Sequence, residues 1–571
     1  MALFHSQQTH SFQSLYLSMK KNLYYLILYS IVFAFIINMP LIGYAQPFTH
    51  QDTLRGSITP EREWWDLHYY DLAIDVDIPN KSITGTNTIY FTVLKSAQVM
   101  QIDLQEPLAI TQVDYKNHHL TYTREGNVYH IKFPNALTTG AHDHIVVHYA
   151  GNPVVAVHPP WDGGLTWSKD TKGNPFVATS CQGIGSSIWW PCKDHMYDEP
   201  DSMLIRITTP ASLTDVSNGR LRQIDYLSNG RKTFQWFVSN PINNYGVNMN
   251  IARYVHWVDT VHGEKGVLDL DFYVLPDNYE KAREHFKDAH RTIKALEYWF
   301  GPYPFYEDGF KLVEVPYLGM EHQSSVTYGN QYQMGYLGRD LSGTGWGLKW
   351  DYIIIHESAH EWWANNVTYK DIADMWIHES FATYGEALFV EYYYGPQAAI
   401  EYIVGYREDI GNKKPIIGTY NVNQEGSGDM YPKGANLLHT LRTWVNDDAK
   451  WRSVLRGMQK DFYHQTVTTQ QVEEYMAQHT GLELKAFFNQ YLRDIRIPVL
   501  EYQIKDKKLS YRYTNIVDGF TMPVHITIDN AEKVKITPTV KWQEITHTSN
   551  IRMISVDPSV YIEKNMVEKK K

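Results

Sequence analysis

The run His356-Glu357-Ser358-Ala359-His360, followed after residues 361–378 by Glu379, constrains this chain more than any other stretch. Residues four apart on an α-helix are neighbours on one face, so both imidazoles can reach a single ion, and Glu357 then sits beside an open coordination position. Taken alone, the pentapeptide fits equally a helix with two surface or core histidines. Glu379 changes that balance. It lies in a second amphipathic run, Trp376-Ile377-His378-Glu379-Ser380-Phe381-Ala382-Thr383-Tyr384, and Asn365-Asn366 with Tyr369-Lys370-Asp371 in between suffice to end one helix and start another beside it. Two His and one Glu from adjacent helices make a tetrahedral zinc set with the fourth position left for water. The expected cofactor is one Zn2+ on His356, His360 and Glu379. Glu357 is placed to take a proton from water and pass it to a leaving amine, and Asp374 is a candidate acceptor from a ligand imidazole.

Composition supports a site of this kind. With two cysteines, Cys181 and Cys192, the chain is neither a disulfide scaffold nor a thiolate zinc module. Its 52 Lys and Arg against 63 Asp and Glu give a net charge of −11, which argues against nucleic acid as a partner. An aromatic content of 14% fits core packing and cleft walls better than a carbohydrate platform, because no catalytic carboxylate pair stands in a recognisable setting. Glu61-Arg62-Glu63 and Lys569-Lys570-Lys571 read as solvated charge.

At roughly 100–200 residues per domain, the 571 residues suggest three or four domains. From Tyr70 to about Tyr254 the pattern alternates with period two: Leu72, Ile74, Val76 and Ile78 share a face, and after Pro79-Asn80-Lys81-Ser82 the run Thr88–Leu94 follows. This predicts a mostly antiparallel β domain. Helical spacing begins at Asn278–Phe300, stops at Gly301-Pro302, and continues to about Leu492, with a capping box predicted at Thr468 and Gln471. Alternation returns after Pro498, at Leu509, Tyr511 and Tyr513 and again at Val524, Ile526 and Ile528.

The N-terminus has the layout of a secretory signal: Lys20-Lys21, the apolar stretch Leu23–Ile37, and Gly43-Tyr44-Ala45 with small residues at the −3 and −1 positions. The expectation is export to the periplasm or medium with cleavage after Ala45, and no stable membrane association once cleaved; an uncleaved anchor is the alternative. Met19 leaves residues 1–18 open as an upstream extension. In an oxidising compartment Cys181 and Cys192 are able to pair.

These residues resemble the zinc aminopeptidases of the aminopeptidase N and leukotriene hydrolase family. His356 to Thr368 is similar to the family's HELAHQWFGNLVT, Trp376 to Glu386 to its WLNEGFATYxE, and Phe300-Gly301-Pro302-Tyr303-Pro304 to the usual entry to its catalytic domain. The resemblance implies an α+β multidomain protein. Its parts are an extension and signal over 1–45, an N-terminal antiparallel β domain over 46–255, a thermolysin-like, mostly helical catalytic domain over 256–497, and a small C-terminal β-sandwich domain over 498–571. A large helical fourth domain, found in many relatives, is expected to be absent, leaving the cleft more open. Tyr431-Pro432-Lys433-Gly434-Ala435 matches YxKGA, which implies that Tyr431 stabilises the tetrahedral intermediate. Leu318-Gly319-Met320-Glu321-His322 aligns with the exopeptidase motif GAMEN, keeping Gly319, Met320 and Glu321 but carrying Leu318 and His322 in place of Gly and Asn. Cys181-Gln182 resembles the N-domain segment that reaches into the active site, and relatives use the position of Cys192 as a buried thiol. Glu321 with the amide oxygen of Gln182 would hold the free α-ammonium of a peptide and set the first peptide bond over the metal. The implied activity is removal of N-terminal residues from peptides. The alternatives are an endopeptidase, an epoxide hydrolase on the same site, and a non-catalytic peptide-binding protein on a peptidase scaffold. Oligomeric state is not legible.

Overall fold

The computed structural model describes residues 48–568; the signal-like segment and the terminal lysines lie outside the described residues. In the N-terminal part, alternation builds an eight-stranded sheet around Trp65–Asp77. Tyr70, Leu72, Ile74 and Val76 are buried on one face, as period two requires. Ser82–Val93 pairs with this strand antiparallel, beginning at Ser82 and not at Thr88 as the hydrophobic pattern suggests. The missed residues are mostly Thr, Gly and Asn, which carry little apolar signal but still pair, Thr84 opposite Asp75 and Thr86 opposite Ala73. On its other edge Trp65–Asp77 pairs parallel with Ser202–Pro210, an exception within an otherwise antiparallel sheet.

Arg62 is the main correction to the charge reading. It is fully buried, donating through Nη1 to the carbonyls of Leu54 (3.0 Å), Arg55 (2.9 Å) and Ser57 (2.9 Å), and through Nη2 to Asp103 (2.7 Å). The short helix His50–Gly56 folds back over it, a tertiary event invisible in the local sequence.

The middle of the chain combines a five-stranded sheet with helices. Its strand order is Val255–Gly263, Gly266–Val274, Phe310–Glu314, Val326–Tyr328 and, at the edge, Gly319–Met320. The predicted helix over 278–300 is divided at Phe286 into Tyr279–His285 and Lys287–Phe300, and it ends at Gly301 with φ 103°. The capping box at Thr468 and Gln471 is formed. One apolar core runs from these helices into two small C-terminal sheets, of four strands around Val499–Lys505 and three around Val524–Ile528. Cys181 and Cys192 are separate buried thiols. No described helix is long and apolar enough to cross a membrane.

Arg62→Met should destabilise the folded chain by about 3–5 kcal/mol, because it leaves the Asp103 carboxylate buried without its ion-pair partner. A urea midpoint unchanged from wild type would refute this.

Candidate metal centre

The first ligand helix, Tyr352–Ala359, starts at Asp351, whose side chain accepts from the Ile354 amide at 3.0 Å, and is held in the core by Ile353, Ile354 and Ile355. His360 caps its C-terminus, and an irregular turn over Glu361–Asn366 then redirects the chain. Glu379 lies in the first turn of the long helix Trp376–Tyr394. Close approach between these helices depends on Gly385, where a Cβ would stand 3.2 Å from that of Ala359. A third helix, Pro432–Val445, meets the long helix at Gly434, where a Cβ would fall 1.9 Å from Ser380 Oγ.

These elements bring the three expected ligands together, all buried. His356 Nε2 and His360 Nε2 are 3.3 Å apart, and Glu379 Oε2 lies 3.6 Å from the former and 3.4 Å from the latter. Zinc bonds of ~2.0–2.1 Å in a tetrahedron put donors roughly 3.3–3.4 Å apart, so the set fits zinc nearly as it stands. Glu379 Oε2 is moreover buried without a hydrogen-bond partner among the described residues, the atom a cation would satisfy. Burial would raise the Glu379 carboxyl, but His360 and His356 outweigh it and hold the group well below the usual range. Burial, opposed by the imidazoles and reinforced by Glu321, raises the Glu357 carboxyl, the direction that suits a group that takes and returns a proton.

Partners behind the imidazoles aim both Nε2 atoms inward. His356 Nδ1 pairs with Glu386 Oε1 at 2.7 Å, and Tyr402 donates to the other Glu386 oxygen at 2.6 Å. His360 Nδ1 donates to the Trp363 carbonyl at 2.9 Å. Asp374 does not have the role expected of it. It accepts from Tyr420 (2.6 Å) and from the amide and hydroxyl of Thr469 (3.0 and 2.6 Å), tying two segments together away from the imidazoles. Glu386 was legible, since it stands two helical turns beyond Glu379 (386 − 379 = 7 positions) on the same face.

The other expected residues line a cavity of about 520 Å³ over the ligands, Gln182, Gly319, Met320, Glu321, Glu357 and Tyr431 among them. Gln182 Nε2 donates to Glu321 Oε1 at 2.6 Å and to Glu379 Oε1 at 2.9 Å, which leaves its amide oxygen to accept. Burial, with Glu379 adding, raises the Glu321 carboxyl. Gly319 is pressed against the ligand helix: a Cβ would lie 2.5 Å from Ile353 Cγ2 and 3.0 Å from the Thr327 carbonyl. Of the two departures from GAMEN, Leu318 lines the cavity, whereas His322 is fully buried beside Thr327 Oγ1 at 3.2 Å, where burial pushes it down to about 3 and keeps it neutral. The Tyr431 ring stacks on His356 with centroids 6.0 Å apart. Burial, with Glu379 next, holds its phenol well above the usual value, so it stays a donor.

Residues 285–491 match the peptidase family M1 domain, and residues 67–245 match the peptidase M1 N-terminal domain. Aminopeptidase M1-A of Oryza sativa subsp. japonica is 20% identical over 83% of this chain and 55% of its own length. Endoplasmic reticulum aminopeptidase 1 of Homo sapiens is 21% identical over 70% of this chain and 44% of its own. The chain thus spans about half the length of these curated relatives. The fold is shared with the M1 zinc metallopeptidase from Deinococcus radiodurans, with a TM-score of 0.62 at 20% identity over 75% of this chain and 93% of that one.

Glu386→Gln should weaken zinc affinity by ~10–100-fold, because it removes the carboxylate that orients His356. Asp374→Asn should leave it unchanged. Competition with a chromogenic chelator measures both, and equal losses would contradict the assignment.

Proposed function

The chain belongs to peptidase family M1, and from that premise we propose that it is an exported zinc aminopeptidase acting on peptides with a free N-terminus. The observation that carries the reading is the Gln182 amide, which donates to both Glu321 and Glu379 and so links the group we assign to the ammonium with the one we assign to the metal. A free α-ammonium set against the Glu321 carboxylate and the Gln182 amide oxygen places the first peptide bond above the ligands and compensates a buried negative charge. When bound, zinc supplies Lewis acidity for the scissile carbonyl and a water of lowered pKa. Glu357 takes the proton of the attacking water and returns it to the departing amine. Tyr431 donates a hydrogen bond where negative charge develops on the carbonyl oxygen. Gly319 and Met320 form an edge strand beside the ligand helix, against which the substrate backbone aligns.

Among the alternatives, an endopeptidase has no use for Glu321 as an anchor. A non-catalytic binder has no need of Glu357 and Tyr431 together, and no feature of the cavity calls for epoxide hydrolysis. Export is supported by the order of Lys20-Lys21, the apolar Leu23–Ile37 and Gly43-Tyr44-Ala45.

Aminoacyl chromogenic amides should be hydrolysed and their N-acetylated forms should not. Cleavage of both at equal rate would remove the exopeptidase reading, and activity insensitive to a chelator would remove the metal. Glu357→Gln should lower kcat by at least ~100-fold while the protein still binds one equivalent of zinc, measured by metal analysis. N-terminal sequencing of the exported protein should begin at Gln46; a chain retained in the membrane with its apolar segment attached would contradict cleavage.

A further inference from the structure

Among the described residues, the cavity above the metal ligands is lined by five acidic side chains, Asp162, Glu321, Glu357, Glu379 and Glu425, and by no Lys or Arg. Four have identifiable work. Glu379 is a metal ligand, Glu357 the base, and Glu321 shares the Gln182 amide and faces the α-ammonium. Asp162 Oδ2 accepts from the amides of Val157 and His158, both at 2.7 Å, which holds its own loop. Glu425 is left over, since among the described residues its carboxylate has no hydrogen-bond or ion-pair partner.

Its position is fixed by the backbone around it. Asn423 donates through Nδ2 to the Gly183 carbonyl at 3.3 Å and through its amide to the Asp52 carbonyl at 3.2 Å. After Glu425, Gly426 packs so closely on the Ile416 carbonyl that a Cβ would fall 1.6 Å from it, and the Ser427 amide donates to the Pro415 carbonyl at 3.1 Å. With both flanks tied, Glu425 lies across from Gly183, where a Cβ would stand 3.8 Å from Glu425 Oε2, one residue from Gln182 at the amine end.

We propose that Glu425 makes the cavity selective for peptides whose first residue has a cationic side chain, lysine or arginine. This rests on the aminopeptidase reading above. Glu425 is exposed at the cavity wall, so its carboxylate is open to solvent there. A bound first residue displaces that solvent, so an apolar side chain strands the charge, whereas an ammonium or guanidinium replaces the lost solvation with a charge-assisted hydrogen bond. The α-ammonium does not perform this service, because it is held by Glu321 and the Gln182 oxygen.

The test uses the zinc-loaded full chain with lysyl, arginyl and norleucyl chromogenic amides, norleucine being lysine without its ammonium. The ratio of kcat/KM for lysyl over norleucyl amide should be about tenfold or more, and should fall toward one in the isosteric Glu425→Gln variant, with Glu425→Asp intermediate. A second arm measures calorimetrically the binding of free L-lysine against L-norleucine, which needs no turnover. Hydrolysis of the panel with a ratio near one, or a ratio unmoved by Glu425→Gln, overturns the proposal. If no amide is hydrolysed, the aminopeptidase reading fails, and the binding ratio in wild type and Glu425→Gln still decides whether Glu425 selects a cation.

Discussion

Everything around the centre follows from one buried atom, the Oε2 of Glu379, which has no hydrogen-bond partner among the described residues and faces both imidazole Nε2 atoms at 3.4–3.6 Å. An ionised carboxylate oxygen taken out of water needs a cation, and the two imidazole nitrogens that converge on it make the shape of a metal site. The fold reaches this arrangement by removing side chains at contact points. Gly385 lets the long helix close on Ala359, and Gly434 lets the next helix close on Ser380. The second carboxylate oxygen is satisfied from a different part of the chain, by Gln182, which follows a strand of the N-terminal β part. One carboxylate therefore couples the helices, the metal and the β region.

That coupling extends outward through Gly183. Its carbonyl accepts from Arg55 of the short helix His50–Gly56 at 3.2 Å and from Asn423 at 3.3 Å, so the segment preceding the large sheet and the loop bearing Glu425 meet beside the amine end of the cavity. Arg62, by gathering three carbonyls of residues 54–57, fixes that segment in turn. A buried guanidinium far from the ligands thus shares a chain of hydrogen bonds with Gln182's neighbour.

What the sequence disclosed divides along the same line. Local periodicity reveals whatever is repeated within one element: the i, i+4 histidines, the helical face of Glu379, the alternating Tyr70 to Val76, and the capping box at Thr468 and Gln471. It is silent where the partner comes from elsewhere. Arg62 looked solvated because Leu54, Arg55 and Ser57 return to it only in three dimensions. Asp374 looked like an imidazole acceptor because it is close in sequence to the ligands, yet Tyr420 and Thr469 occupy it. Glu386 has the helical phase that puts it on the face of Glu379, but nothing local marks it as the partner of His356, which comes from another helix. The strand Ser82–Val93 began early because Thr and Gly pair through backbone groups that leave no hydrophobic trace.

The charge of the cavity ties these observations to chemistry. Burial opposes protonation of the imidazoles, yet Glu379 outweighs it and raises His360 to about 9, while His356 is raised by the carboxylates of Glu379 and Glu386. The carboxylates around the imidazoles thus draw positive charge to the place where the three donor atoms converge, 3.3–3.6 Å apart. Zinc held there would take both imidazoles neutral, since only the neutral ring has a lone pair to offer. The hydrogen bonds of Nδ1 to Glu386 and to the Trp363 carbonyl serve that state, because each leaves Nε2 as the ring atom turned toward Glu379.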